Sequence, residues 1–201
     1  MNYLAHSFLT FTDAQIVGQF LEDHIKNKQR YTFPIDIQEG ITLHRAIDTF
    51  TDSHPAIHEA KKVFSPLVRL YSGAFVDVCM DYFLANDKKL LTPTLWKKHS
   101  ARVYKVLNEN VHYFPEYFKN MLFRMEQDDW LYNYREDQGI EFSIRNVLNK
   151  AQYLEKNIPV FETFLKEKNY LESCYNLFFG DLSAHVLSIH QTFRISDRDN
   201  D

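Results

Sequence analysis

The sequence predicts an all-α fold, and three observations support this. No segment shows sustained alternation of apolar and polar residues, and no Asn-Gly or Asp-Gly hairpin turn occurs. Residues that typically begin helices recur instead: Asp13, Pro34, Pro55, the pair Thr92–Pro93, and Pro115. Only 5 Gly and 6 Pro are present, with no Gly-rich or Ser-rich run to mark a linker. We therefore expect residues 1–201 to form a single-domain multi-helix bundle.

The predicted elements follow in chain order. A short apolar opening segment, Tyr3 to Phe11, carries His6, which is expected to be buried. The first long helix should run from Asp13 to Ile25, followed by a polar loop from Lys26 to Thr32. The next helix should end at Ser53, another should begin at Pro55, and a third should cover 73–87. Two more are expected from Pro93 to about Asn110 and from Pro115 to about Trp130. After a break at Gly139, the last three helices should begin at about Ile140, at about Pro159 and at about Tyr170. Residues from about 196 to 201 are charged and are expected to form a frayed tail.

Composition excludes several classes of protein. The 45% hydrophobic content and 15% aromatic content of the 201 residues predict a full-sized, aromatic-rich core. A net charge of -4 argues against a nucleic-acid partner.

Cys79 and Cys174 are far apart and read as buried thiols of a reducing compartment. No run of about 18 uninterrupted apolar residues occurs, so we expect a cytoplasmic protein without a membrane partner. The absence of a phosphate loop, a nucleophile elbow and an H-E-x-x-H motif disfavours P-loop kinases, serine hydrolases and zincin proteases.

Polar side chains lie inside the apolar stripe of the helix that ends near Ser53. At about 100° per residue, His44, Asp48 and Asp52 fall within a sector of roughly 80°. Within about 60° of His44 on the same helical wheel lie three isoleucines, Ile37, Ile41 and Ile47. This face is therefore directed at the core rather than at solvent.

The helix over 73–87 repeats this pattern with Asp77 and Asp81, and Asp23 is a third inward-facing candidate. A carboxylate removed from water needs a compensating charge, and a divalent cation such as Mn, Fe or Mg suits carboxylates and a neutral imidazole. Two other readings stay open at this point. The polar groups can be hydrogen-bonded pairs within the core, or they can be ion-paired with Arg45 and Arg69.

Several motifs together carry a family resemblance: MNYLAH, FLEDHIK, GITLHRAIDTFTDSHP and VDVCMDYFLAND, with weaker likeness in DDWLYNYREDQGIEFSIRNVL and YNLFFGDLSAHV. In these segments the chain resembles the bacterial acyl carrier protein phosphodiesterases, also called acyl carrier protein hydrolases. The resemblance implies an all-helical, HD-like protein, distantly related to the HD phosphohydrolases. It also implies removal of 4'-phosphopantetheine from holo acyl carrier protein with Mn2+, for which Fe2+ or Mg2+ are alternatives. The family's D-H-F-L-A is here Asp81-Tyr82-Phe83-Leu84-Ala85, and its F-F-P is here Phe178-Phe179-Gly180.

The matching positions suggest roles for individual residues. Metal ligands are expected at Asp23, His44, Asp48, Asp77 and Asp81. His6 or Asp52 would orient the attacking water, and Arg45 would bind a phosphate oxygen. The acidic protein substrate would dock on Lys61, Lys62 and Arg69, or on a second basic patch formed by Lys97, Lys98, Arg102 and Lys105.

Three alternative functions from other classes remain at this stage. The protein can be a metal-dependent phosphohydrolase of a nucleotide or another small phosphoester. It can be a metal-free helical protein that binds a hydrophobic ligand in its aromatic core. It can also be a non-catalytic partner of acyl carrier protein. The sequence does not predict an oligomeric state.

Overall fold

The computed structural model describes residues 1–198, with side chains described through Ile195. Every regular element in this range is an α-helix or a short 3-10 turn, so the all-α prediction is confirmed. The α-helices are α1 (Tyr3–Phe8), α2 (Asp13–Leu21), α3 (Ile35–Ser53), α4 (Pro55–Val68), α5 (Ser72–Asn86), α6 (Pro93–Glu109), α7 (Glu116–Gln127), α8 (Trp130–Asn133), α9 (Asp137–Lys150) and α10 (Val160–Arg198).

The helices begin and end for local reasons that are legible in the sequence. Thr12, rather than Asp13, is the N-cap of α2, and its hydroxyl accepts a hydrogen bond from the Gln15 amide at 3.2 Å. Pro55 and Pro93 each occupy the first turn of a helix. Helix α3 ends at Ser53 as predicted, because the next residue precedes Pro55 and adopts an extended conformation.

Two predicted breaks between helices are wrong. Gly139 does not break the chain but lies inside the first turn of α9, where an added Cβ would sit 1.9 Å from the Asn133 carbonyl oxygen. Glycine is needed there because α8 and α9 approach closely, not because a helix ends. The helices predicted from Pro159 and Tyr170 are one continuous helix, α10. This helix extends through Arg198 and so includes the first residues of the predicted frayed tail. The remainder of that tail, residues 199–201, lies outside the described residues.

Helices α2 and α3 pack unusually close together through two glycines. A Cβ on Gly18 would lie 2.2 Å from the Ile37 carbonyl oxygen, and a Cβ on Gly40 would lie 2.4 Å from the Gln15 carbonyl oxygen. Any larger residue at either position would force the two backbones apart. This close approach brings the end of α2 against the middle of α3, where the polar residues of the central stripe lie.

One hydrophobic core joins all parts of the described chain, with members from Met1 to Val186. Helix α10 packs across α3, α4 and α5, so the last long helix covers the central ones. Cys79 and Cys174 are free and buried within this core, as predicted. By length and composition alone, the stretch Pro55–Asn86 passes as a membrane span. In the structure it is the helix pair α4 and α5, separated by a turn at Arg69, and both helices contribute residues to the core.

Candidate metal centre

Two buried histidines from different helices form the centre of the site. His6 lies on α1 and His44 on α3, and each is only 5% exposed. Their rings stack with centroids 4.0 Å apart and an interplanar angle of 16°. The burial of His6 predicted from its apolar neighbours is therefore confirmed.

Gln19 of α2 holds both imidazole rings through their Nδ1 atoms. His44 Nδ1 lies 2.7 Å from the backbone carbonyl oxygen of Gln19, and His6 Nδ1 lies 2.8 Å from the Gln19 side-chain oxygen. Because an amide oxygen only accepts hydrogen bonds, each Nδ1 must donate. In their neutral forms both histidines then carry the lone pair on Nε2. Fixing the tautomer through Nδ1 in this way is typical of histidines that bind metal.

Carboxylates face both of these Nε2 atoms. Asp48, one turn after His44 on α3, has its oxygens 3.2 Å from His44 Nε2 and 3.3 Å from His6 Nε2. Asp23 lies 3.5 Å from His44 Nε2. One ligand atom from each of His6, His44 and Asp48 falls within 4.8 Å of the others, a spacing that can hold one metal ion. The donor set thus fits a divalent cation, because lone pairs and carboxylate charges converge on a common point.

Without such an ion, these groups must share protons. Burial works against protonation of His44, but hydrogen bonds to Asp23 and Asp48 outweigh it and raise the pKa of His44 to about 9. Burial opposes ionisation of Asp48, yet its hydrogen bonds to both histidines keep its pKa well below the usual value. The hydrogen bond to His44 also lowers the pKa of Asp23, while burial lowers the pKa of His6. The carboxylates are therefore ionised at neutral pH and require a nearby positive charge.

The cluster opens into a cavity of about 290 Å³. Six residues singled out in the sequence line it: His6, Asp23, His44, Asp48, Asp52 and Asp77. Asp77 is 2.9 Å from the amine of Met1, and the exposed Asp52 is 2.8 Å from Lys61 Nζ, so both of these carboxylates already have a cationic partner. The other two aspartates, Asp23 and Asp48, contact only the two histidines among the described ion pairs, so their charge would repel a phosphate group unless a cation were added.

Asp81 is not part of the group formed by His6, His44 and Asp48, and its role as a metal ligand stays a prediction. It is fully buried, and its two oxygens accept backbone hydrogen bonds from Asn2 at 3.2 Å, Leu4 at 2.8 Å and Ala5 at 3.4 Å. Burial raises the pKa of Asp81 to about 7, although the backbone hydrogen bonds oppose this. The carboxylate closes the first turn of α1, the helix that carries His6. In the structure, its oxygens are thus occupied by backbone amides.

The predicted basic residues lie around the site rather than in it. Arg45 donates through Nε to Glu22 at 2.6 Å and lines a shallow groove next to Asp23, His44 and Asp48. It does not neutralise the site's acids, so the ion-pair reading that assigned this role to Arg45 is wrong.

The three predicted docking cations all come from one helix and the turn after it. Lys61 reaches the cavity rim through its ion pair with Asp52. Lys62 pairs with Glu59 at 2.6 Å on the surface, and Arg69 is exposed in the turn after α4 with a positive φ of 50°.

Sequence reasoning missed Gln19, the residue that organises both histidines. A signal was present, because Gln19 is the one polar residue in the run Ile16–Leu21, and a polar side chain in an apolar run must find partners. Its side-chain Nε2 is buried with no hydrogen-bond partner in the described part of the chain. Gln19 therefore serves the histidines through its oxygens.

The fold and the site together define a class: an all-α protein whose helices hold a histidine–aspartate cluster suited to a divalent cation. The family model described as acyl carrier protein phosphodiesterase matches residues 1–182. The chain belongs to this family. An acyl carrier protein phosphodiesterase of Enterobacter sp. (strain 638) is 32% identical over 161 residues, covering 77% of this chain and 81% of the relative. The protein of the same name from Photorhabdus laumondii is 30% identical over 138 residues, covering 67% of this chain and 69% of the relative. No solved structure matches the chain, so the expected likeness to HD phosphohydrolases stays a prediction.

Proposed function

We propose that this protein is a metal-dependent phosphodiesterase that hydrolyses holo acyl carrier protein to apo carrier protein and 4'-phosphopantetheine. The observation that carries the proposal is the convergence of His6, His44 and Asp48 on one point within a cavity of a chain that belongs to this family. The substrate is taken from the names of the relatives. The carboxylates of the cavity are the reason for proposing a bound cation.

The proposed ligands are the Nε2 atoms of His6 and His44 and the carboxylate of Asp48, with Asp23 beside them. His6 is thus proposed as a metal ligand and not as the group that orients the attacking water. A bound cation would neutralise charge on the phosphoryl oxygens and lower the pKa of a water molecule. The mixture of imidazole and carboxylate suits Mn2+ or Fe2+ and, less well, Mg2+.

Other side chains of the protein would orient the ligands, accept a proton and bind the phosphate. Gln19 keeps both Nε2 atoms aimed into the cavity by accepting from each Nδ1. Asp23 is half exposed at the cavity and can accept a proton from the attacking water. Among the described residues, Arg45 engages Glu22 through Nε only, so the rest of its guanidinium group can bind a phosphate oxygen at the neighbouring groove.

Docking of the acidic carrier protein would use the cations nearest the cavity rim. Lys61 is the best placed, because its partner Asp52 lines the cavity. The alternative basic patch on α6 is ion-paired to a similar extent, with Lys97 on Asp129 and Arg102 on Asp13, but neither of these pairs includes a residue that lines the cavity. We therefore favour the group Lys61, Lys62 and Arg69 as the docking surface.

The test is to incubate pure protein with holo acyl carrier protein and Mn2+ and to weigh the carrier by mass spectrometry. We expect loss of the phosphopantetheine arm with wild type and no loss with Asp48→Asn. The matched control is Asp36→Asn, which removes an exposed acid from the first turn of the same helix. An intact holo carrier after incubation with wild type, or full activity of Asp48→Asn, would contradict the proposal. Faster turnover of an added nucleotide would favour the nucleotide phosphohydrolase.

A further inference from the structure

A second cavity adjoins the candidate metal centre. It has a volume of about 540 Å³, within the range of small-molecule sites. It shares four wall residues with the first cavity: Met1, Asn2, Tyr3 and Asp77. The two cavities therefore lie side by side, separated only by these residues.

One face of α9 forms a long wall of this second cavity. The residues on this face recur at helical spacing: Gly139, Phe142, Ser143, Asn146, Val147 and Lys150. The opposite face of α9 packs into the core through Ile140, Ile144 and Leu148. From Gly139 to Lys150 the helix rises roughly 16 Å, so the wall suits an elongated ligand.

The wall combines apolar surface with polar groups that have no partner in the described part of the chain. Trp130 and Phe142 supply aromatic surface, and Phe142 is 50% exposed. Gln138 and Asn146 also line the cavity, and among the described residues neither side-chain amide makes a hydrogen bond. Amide donors and acceptors spaced between apolar surfaces match a ligand in which amide groups alternate with methylene groups.

Charge argues against an anionic occupant of this second cavity. Three carboxylates line it, those of Asp77, Asp128 and Glu136, against two cations, the Met1 amine paired with Asp77 and the side chain of Lys150. A phosphate or a nucleotide would meet net repulsion there. The anionic end of a substrate therefore belongs at the metal centre, and an uncharged part belongs in the second cavity.

We propose that the second cavity binds the pantetheine part of the substrate's prosthetic arm, while the phosphodiester lies at the metal centre. This inference rests on the proposed function and adds the site that recognises the arm. The arm is uncharged beyond its phosphate, elongated, and contains two amide groups, so it has the chemistry that the α9 wall accepts. The thiol end of the arm would point away from the metal centre.

The first test measures binding of D-pantetheine to the metal-free protein, so that no catalysis is involved. Trp130 lines the cavity while Trp96 is buried elsewhere, so tryptophan fluorescence reports occupancy. We expect a saturable change with wild type and a dissociation constant raised about tenfold or more by Ser143→Phe, which fills the cavity. The control is Asn149→Phe, which places the same phenyl side chain at an exposed position of α9 outside the cavity and should bind like wild type.

Asn146→Leu gives a second variant that keeps the branched shape of the side chain and removes the amide. It decides the question if Ser143→Phe unfolds, and it should raise the KM for holo acyl carrier protein about tenfold. Wild-type hydrolysis with an unchanged KM and unchanged pantetheine binding in Asn146→Leu would overturn this inference alone. Failure of wild type to hydrolyse holo carrier would instead refute the proposed function, whatever the binding result.

Discussion

Substituting Gly18 by alanine tests whether the close approach of α2 and α3 builds the metal centre. The new Cβ would lie 2.2 Å from the Ile37 carbonyl oxygen and 2.7 Å from Gly40 Cα, whereas ordinary contacts begin at 3.4 Å. All the nearest atoms belong to backbone, so the side chain cannot escape by rotating. The two helices must move apart by roughly 1 Å to accept it.

This movement would act on the hydrogen bond that orients His44. A shift of about 1 Å would stretch the 2.7 Å contact between His44 Nδ1 and the Gln19 carbonyl oxygen beyond hydrogen-bonding range. Overpacking should lower the free energy of unfolding by about 1–3 kcal/mol, and the melting temperature by roughly 3–10 °C. Loss of the orienting bond should weaken Mn2+ binding by about 10- to 100-fold.

Gly180 supplies the matched control for this substitution. It lies exposed in the interior of α10, and a Cβ there would meet no atom within 4 Å. Gly180→Ala should raise the free energy of unfolding by about 0.5–1 kcal/mol through helix propensity and should not alter Mn2+ binding. Thermal unfolding followed by circular dichroism and calorimetric titration with Mn2+ measure both effects. A Gly18→Ala protein that melts no lower than wild type and binds Mn2+ equally well would refute the reasoning.

Three further outcomes are expected. Gln19→Leu removes the oxygen that accepts a hydrogen bond from His6 Nδ1 at 2.8 Å, so the affinity for Mn2+ measured by calorimetric titration should fall about 10- to 100-fold. An unchanged affinity would mean that His6 needs no orienting partner. Burial lowers the pKa of His99 from 6.5 to about 4, so the folded protein loses about 3 kcal/mol of stability as pH falls from 6.5 toward 4. Urea unfolding at several pH values should show this loss, and His99→Gln should flatten that part of the profile. Tyr82→Phe removes the hydroxyl that donates to Asp137 at 2.8 Å and should cost about 1 kcal/mol in unfolding measurements, with no loss if that hydrogen bond is merely a surface contact.

The position of Asp81 changes what its substitution would mean. As a ligand, it would alter metal binding directly. As the residue that closes the first turn of α1 through three backbone amides, it would act on the candidate metal centre by holding His6 in place. Loss of activity in an Asp81 variant would therefore accompany loss of stability, because buried amides would lose their acceptor.

The sequence by itself determined the features that depend on local spacing. The absence of strand periodicity predicted the all-α fold, and the proline after the central helix predicted its end at Ser53. A spacing of four residues placed His44 and Asp48 on one face, because a helix returns to the same side after each turn. These conclusions needed no knowledge of what packs against that face.

Only the tertiary structure decided which residues meet at that face. His6, Gln19 and Asp23 reach His44 because α1 and α2 pack on α3, and the contact between α2 and α3 depends on glycines whose role appears only when both helices are in place. Helical spacing turned Asp81 toward the core, but it could not show that backbone amides rather than a cation occupy its oxygens. The physical reason is that periodicity fixes the side of a helix on which a group lies, whereas the partner of that group is set by neighbouring helices distant in the chain.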